Sequence, residues 1–264
     1  MLKKLILFLI LLPFVFGEEF SQYTSITTEV NVSGLVNLNY LEEGSKLDYF
    51  ETKLTFFPIN DVNQNVKIMD FNSEPGANII EDENIKFRWG DGNINKLSYG
   101  LSTEVVSKTL FKFIDKTIKY PISGLTEEDR QYIEEREYTD LNGDIREKAK
   151  ELAKNEDDFY LLVFKIAEWV RTNVKYDLNS LTEKSVKKSS WVLERKQGVC
   201  DEITNLFVSL LRSLGIPVKY ISGLAYSDIT GEWSAHAWSE VYFPDYGWLP
   251  FDVTFGQYGW VDAG

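Results

Sequence analysis

Apolar and polar residues alternate in short segments through the first half of the chain. The clearest alternating segments run over 24–32, 36–40, 48–56 and 85–89, and Gly, Asn, Asp and Pro residues separate them. A period of two is typical of strands with one buried face, and several such strands at this spacing indicate an antiparallel β-sandwich. The pattern predicts an all-β, sandwich-like domain over residues 18–120.

The apolar period changes to 3.6 beyond a connector at residues 121–144 that is rich in Glu and Asp. Asn155 and Asp158 mark the start of a helix whose apolar stripe runs from Phe159 to Val174. A second, short helix is expected from Ser189 or Ser190 to Lys196, and Gly198 is expected to end it in the left-handed conformation. The third and clearest helix runs from Cys200 to Leu214, where Gly215-Ile216-Pro217 ends it.

Three strand-like segments follow the third helix. They run over 217–226, 234–243 and 247–253, with turns at 228–231 and 244–246. These helices and strands together make up a second predicted domain over residues 145–264.

The first 17 residues have the pattern of a signal peptide. Lys3 and Lys4 precede an apolar run of 12 residues from Leu5 to Phe16, and Gly17 follows. This run is shorter than the about 20 residues that a spanning helix needs. We expect cleavage after Gly17 and an extracytoplasmic, secreted protein, and the alternative is an uncleaved N-terminal segment that tethers the protein to the membrane.

The acidic composition narrows the range of partners. Cleavage removes two of the 28 basic residues and none of the 41 acidic ones, so the net charge changes from −13 to −15. Such a surface disfavours nucleic acid and anionic lipid, both of which bind clustered Lys and Arg.

The chain holds a single cysteine, Cys200, and a single histidine, His236. An exported protein normally pairs its cysteines, so a lone one is either a small buried hydrophobe or a free thiol kept for chemistry. Cys200 lies in the first turn of the third helix, where unpaired N–H groups and the helix dipole favour a thiolate. His236 lies in mid-strand, and Asp252 ends the next strand. A thiol acyl-transfer site requires such a nucleophile, base and orienting carboxylate.

Each of these residues also has a structural interpretation. The cysteine could be core packing, the histidine a satisfied core residue and the aspartate a turn cap. Their joint occurrence in an exported chain favours the catalytic interpretation. Metal binding is disfavoured, because one His and one Cys fall short of the nitrogen and sulfur ligands of a zinc site.

Five motifs follow one another in order in the C-terminal half of the chain. They are Gly198-Val199-Cys200-Asp201-Glu202, Leu214-Gly215-Ile216-Pro217, Ser222-Gly223, His236-Ala237-Trp238-Ser239-Glu240-Val241-Tyr242 and Gly247-Trp248-Leu249-Pro250-Phe251-Asp252-Val253-Thr254. Together they resemble the core of the microbial transglutaminase-like superfamily over about residues 155–260. The resemblance implies a papain-like α+β core with Cys200 as nucleophile, His236 as base and then acid, and Asp252 as the residue that orients the imidazole.

The resemblance also implies the neighbours of this triad. Trp238 and Glu240 would frame the histidine strand. An aromatic residue upstream of the cysteine would be the second oxyanion donor, for which Tyr176 is the first match and Trp191 the second.

The function that the resemblance implies is acyl transfer. We expect a protein or peptide substrate, attack on a peptide or glutamine-type amide through a thioester, and no cofactor. Hydrolysis is favoured over amine crosslinking, because an exported enzyme faces bulk water. The alternative is a catalytically idle surface binding or scaffold protein. The sequence does not indicate the oligomeric state.

The register of the last hairpin tests the place of Asp252 in the triad. In an antiparallel pair, Asp252 shares a face with His236 only when paired residue numbers sum to an even number. A three-residue loop at Pro244-Asp245-Tyr246 gives 490 and places Asp252 diagonal to His236, within side-chain reach. We therefore predict an odd-length loop, or a bulge that restores the parity, and a hydrogen bond between the Asp252 carboxylate and one ring nitrogen of His236.

Overall fold

A computed structural model describes residues 23–261 and residue 263, except residues 41, 43, 82–83, 179–185 and 228–230. The predicted signal segment and most of the turn predicted at 228–231 lie outside the described residues. No helix within the described part of the chain is long and apolar enough to cross a membrane.

The N-terminal region consists of two three-stranded antiparallel sheets. One sheet has the order β1-β6-β3, with bounds Ser25–Asn37, Lys96–Lys108 and Gln64–Glu74, and the other has the order β2-β5-β4, with bounds Phe50–Leu54, Ile85–Trp89 and Asn78–Glu81. Both sheets contribute to one apolar core of Leu54, Ile85, Phe87, Trp89, Leu97 and Leu101. The predicted sandwich-like architecture is confirmed.

Five α-helices follow in the described part of the chain. They are α1 Glu127–Arg130, α2 Gly143–Ala153, α3 Phe159–Asn173, α4 Ser189–Arg195 and α5 Cys200–Ser213, and a 3-10 turn, Gln131–Ile133, follows α1. The Asp158 carboxylate accepts a hydrogen bond from the backbone N–H of Leu161 and caps α3. The whole apolar stripe from Phe159 to Val174 is buried, as its spacing predicts.

The helices pack on a four-stranded antiparallel sheet in the order β10-β11-β12-β13. Its strands are β10 Val218–Ser227, β11 Glu232–Phe243, β12 Gly247–Asp252 and β13 Gln257–Tyr258. Two short ladders complete the fold: β7 Leu110–Phe111 pairs with β14 Trp260–Val261, and β8 Lys175–Tyr176 runs parallel to β9 Gln197–Gly198. This is the predicted α+β arrangement.

Arg212, near the C-terminal end of α5, joins the helices, the sheet and the acidic connector. Its buried guanidinium donates to the carbonyl oxygens of Val218 and Glu134 and to the hydroxyl of Thr139. Burial lowers the pKa of Arg212 to about 10, so the group remains a cation near neutral pH. The hydrogen bonds therefore hold residues of the predicted connector firmly against α5.

The structure differs from the sequence-based expectations in several places. The strands β3 and β6 and the helix α2 were not among the predicted elements. The end of α4 also differs, because Lys196 takes the left-handed conformation, with a φ of 57°, that was expected of Gly198. Gly198 lies in β9 and serves another purpose, since a Cβ there would lie 2.6 Å from the Cβ of Glu202.

We predict that Gly198→Ala lowers the free energy of unfolding by about 1–3 kcal/mol, the range for overpacked sites. Chemical denaturation of the purified variant measures the change. Gly143→Ala is the matched control, because a Cβ at Gly143, the first residue of α2, meets nothing within 4 Å. Equal denaturation midpoints for both variants would contradict the close approach of Glu202.

Candidate active site

Cys200 is the first residue of α5, and Glu202 fixes this helix start. One oxygen of the buried Glu202 carboxylate accepts from the backbone N–H of Val199 at 3.0 Å, and the other accepts from the N–H of Lys187 at 3.1 Å. Free N–H groups at a helix start need such acceptors. Glu202 therefore anchors the turn of backbone that presents Cys200, and the missing side chain of Gly198 leaves room for it.

The short parallel ladder of β8 and β9 brings Tyr176 beside Cys200. The N–H of Lys175 donates to the carbonyl of Lys196 at 2.8 Å, and that of Asp177 donates to Gly198 at 3.0 Å. The Tyr176 phenol interacts with the backbone N–H of Cys200, and burial raises the pKa of this phenol. A protonated phenol therefore lies near the backbone N–H of Cys200.

His236 lies in β11, and its Nε2 is 2.5 Å from Oδ2 of Asp252 at the end of β12. Strands β11 and β12 pair in the register Ser239 with Phe251 through Phe243 with Gly247, around a three-residue loop. The predicted odd-length loop and the predicted hydrogen bond are therefore confirmed.

The second oxygen of Asp252 is held by the turn that follows it. Oδ1 accepts from the backbone N–H groups of Thr254 at 2.8 Å and Phe255 at 2.9 Å. The buried carboxylate therefore has donors on both oxygens, which fix its orientation toward His236.

The Cys200 side chain completes the arrangement, because it lies near enough to the His236 imidazole to affect its pKa. Burial of the imidazole lowers its pKa, but the hydrogen bond and charge of Asp252 and the interaction with Cys200 outweigh this effect and raise the pKa from 6.5 to about 9. The imidazole is thus a cation near neutral pH, and it is placed to stabilise a Cys200 thiolate.

Two aromatic rings stack with His236. The Trp238 ring is 6.1 Å from the imidazole at an angle of 21°, and the Phe255 ring is 4.5 Å away at 16°. A Cβ at Gly223 would come within 2.6 Å of the Trp238 ring, so glycine lets the indole lie across the neighbouring strand. The sequence reasoning missed Phe255. Its signal was an aromatic residue three positions after Asp252.

Trp191, the second match for an oxyanion donor, lies in α4. Its ring packs partly buried against the helical core, and the Lys187 ammonium lies 5.9 Å from the ring centre. These contacts give Trp191 a packing role, whereas Tyr176 interacts with the backbone of Cys200. No group of three His, Cys, Asp or Glu residues in the described part of the chain is arranged to hold a metal ion.

Part of the chain is similar to known proteins. Residues 146–253 match the family model for the transglutaminase-like superfamily, and the matched range contains Tyr176, Cys200, His236 and Asp252. The uncharacterized protein YebA of Bacillus subtilis is 28% identical over 129 residues, which cover 42% of this chain and 17% of YebA. The uncharacterized protein ML0607 of Mycobacterium leprae is 30% identical over 123 residues, which cover 44% of this chain and 42% of ML0607. The chain thus spans less than half the length of either relative.

A solved structure shares the fold over a larger part of the chain. The crystal structure of a "putative cysteine protease" from Cytophaga hutchinsonii superimposes with a TM-score of 0.62, covering 91% of this chain and 83% of the other at 17% identity. This likeness concerns the fold, whereas the family match includes the positions of the triad. Residues 146–253, which hold Cys200, His236 and Asp252, are thus similar to the transglutaminase-like superfamily over less than half of the chain.

Proposed function

We propose that the chain is a thiol acyl-transfer enzyme that attacks peptide or glutamine-type amides through a thioester. The observation that carries this proposal is the hydrogen bond between the imidazole of His236 and the Asp252 carboxylate, with the Cys200 side chain near enough to the imidazole to affect its pKa. The fold alone would not distinguish an enzyme from a binding protein. A nucleophile, a base and an orienting carboxylate in hydrogen-bond contact are what acyl transfer requires.

In the first half of the reaction, His236 holds the proton of Cys200 and the thiolate attacks the amide carbonyl carbon. A sulfur–carbon bond forms, and the carbonyl oxygen becomes an oxyanion. The oxyanion takes the place of the Tyr176 oxygen as acceptor of the Cys200 N–H, and the Tyr176 hydroxyl donates a second hydrogen bond. His236 then gives its proton to the leaving amine, and the carbon–nitrogen bond breaks.

In the second half, an acceptor resolves the thioester. His236 takes a proton from water or from an amine, the acceptor attacks the carbonyl carbon, and the Cys200 thiolate leaves. Water yields the acid, and an amine yields a new amide. Cys200 is only partly buried, so water reaches the thioester, and we propose hydrolysis as the main outcome.

We also propose that the protein acts outside the cytoplasm on proteins or peptides. The proposal rests on the signal-like pattern of the first 17 residues and on the acidic surface, which disfavours nucleic acid and anionic lipid. N-terminal sequencing of the protein recovered from its producing cells would test it. A mature chain that begins after Gly17 is the expected result.

We expect Cys200→Ala to abolish turnover without unfolding the chain, because the nucleophile is lost and the change in volume is small. Hydrolysis of a peptide library and incorporation of a fluorescent amine into a glutamine peptide measure the two outcomes. Ser213→Ala, at the other end of α5, is the matched control and should keep full activity. Equal activity of the Cys200→Ala variant and the wild type would contradict the assignment. So would a wild-type thiol that iodoacetamide alkylates no faster than a free cysteine, as expected of an idle scaffold.

We predict that Asp252→Asn lowers the pKa of His236 below the wild-type value of about 9. The variant loses the carboxylate charge but keeps the burial, which disfavours the cation. NMR titration of the imidazole measures the pKa directly, because the chain contains one histidine.

The same shift predicts how stability depends on pH. Because the folded-state pKa lies above 6.5, the charged imidazole contributes stability that is fully present below about pH 6.5 and is lost as the pH rises through about 9. The unfolding temperature of the wild type should fall across this window more than that of the Asp252→Asn variant. A wild-type imidazole that titrates at or below 6.5 would show that Asp252 does not bond to it.

A further inference from the structure

Asp201 places a negative charge beside the nucleophile that the proposed mechanism does not use. Its Oδ1 lies 4.0 Å from the sulfur of Cys200 and 2.9 Å from the hydroxyl of Tyr220, which donates to it. Asp201 is the second residue of α5, and Tyr220 lies in β10, so the contact joins the helix start to the edge strand of the sheet.

An Asp201 carboxylate without another hydrogen-bond donor would oppose catalysis in two ways. A carboxylate charge about 4 Å from sulfur disfavours the thiolate by Coulomb repulsion. The same oxygen is also an acceptor for the thiol proton, which competes with transfer of that proton to His236. Both effects weaken when another donor engages the oxygen.

The surrounding carboxylates are already engaged. Glu202 accepts from two backbone N–H groups, and Asp252 accepts from His236 and from two further N–H groups. Other titratable groups interact with Cys200 or Asp201 from the neighbouring elements. They are Tyr176 of β8, Glu202 of α5, Tyr220 of β10 and His236 of β11, and Asp252 of β12 lies behind the imidazole. Asp201 is therefore the carboxylate whose oxygen faces the sulfur.

We propose that Tyr220 is a positioning residue: by donating to the Asp201 oxygen that faces the Cys200 sulfur, it weakens this oxygen as a competing acceptor for the thiol proton and so favours the thiolate. This inference rests on the proposed function and adds to it a control over the pH range in which the Cys200 nucleophile is reactive. Burial raises the pKa of Tyr220, and the Asp201 charge raises it further, so the hydroxyl keeps its proton across the working range and donates throughout.

The experiment measures the alkylation rate of Cys200 by iodoacetamide from pH 5 to 9, together with kcat/KM. The modified residue is unambiguous because the chain has one cysteine. Four variants are compared with the wild type: Tyr220→Phe, Asp201→Asn, the double variant, and Tyr242→Phe. The last is the matched control, because the Tyr242 ring packs on Trp248, 5.4 Å away, on another part of the sheet.

We expect Tyr220→Phe to slow alkylation about tenfold near pH 6 and to move the acid limb of the profile up by about one pH unit, since a tenfold change corresponds to one unit. Asp201→Asn should move the limb down, because the repelling charge is gone. The double variant should match Asp201→Asn, because Tyr220 acts only through Asp201. A merely structural role for Tyr220 would lower the rate equally at every pH and would persist in the double variant.

A Tyr220→Phe profile that superimposes on the wild type, or a double variant that retains the Tyr220→Phe defect, overturns the inference. If Tyr220→Phe does not fold, as judged by circular dichroism, Asp201→Asn decides alone, and an unchanged acid limb overturns the inference. The proposed function fails on a different result, namely an unreactive wild-type thiol or full turnover by Cys200→Ala. The two failures are therefore distinguishable.

Discussion

A carboxylate that leaves water must be met by donors, and this requirement at Asp252 governs the C-terminal half of the structure. One oxygen needs the His236 imidazole, so β11 and β12 must pair in a register that puts both residues on one face. The other oxygen takes two backbone N–H groups, so the chain must turn directly after β12. That turn also carries Phe255 onto the imidazole. The loop length and the turn thus supply the donors that one buried charge needs, and the same turn sets the ring stack.

The position of Cys200 depends on a second constraint, the burial of α5. This helix is almost wholly buried from Glu202 to Arg212, with Leu206, Phe207, Leu210 and Leu211 inside the core. Near its C-terminal end, Arg212 ties it to β10 and to residues 134–139. Cys200 lies twelve residues earlier, about 18 Å along the axis. Packing and hydrogen bonds that are remote from the sulfur therefore hold it in place, so the site does not depend on a flexible loop.

Features that arise within one element or one hairpin could be predicted from the sequence. The stripe of α3, the start of α5 and the parity of the β11 and β12 hairpin each follow from a local period, and the structure confirms them. Contacts between segments that are distant in the sequence could not be predicted from it. Glu202 excludes a side chain at Gly198 only because helix and strand approach closely, and the bond from Tyr220 to Asp201 crosses from β10 to α5. The strand β6, in contrast, shows the alternation of Leu97, Leu101 and Val105 and was missed although its signal was local.

The balance of charge around the sulfur is compatible with the thiolate nucleophile that we propose for so acidic a chain. Asp201, Glu202 and Asp252 all lie near Cys200, and three bare carboxylates there would oppose a fourth negative charge. Each is engaged by donors: a phenol at Asp201, two backbone N–H groups at Glu202, and an imidazole with two N–H groups at Asp252. The imidazolium supplies the one full positive charge in this hydrogen-bonded group. Its pKa is raised by Asp252 and by Cys200, and in the mechanism that we propose this imidazolium balances the charge of the sulfur.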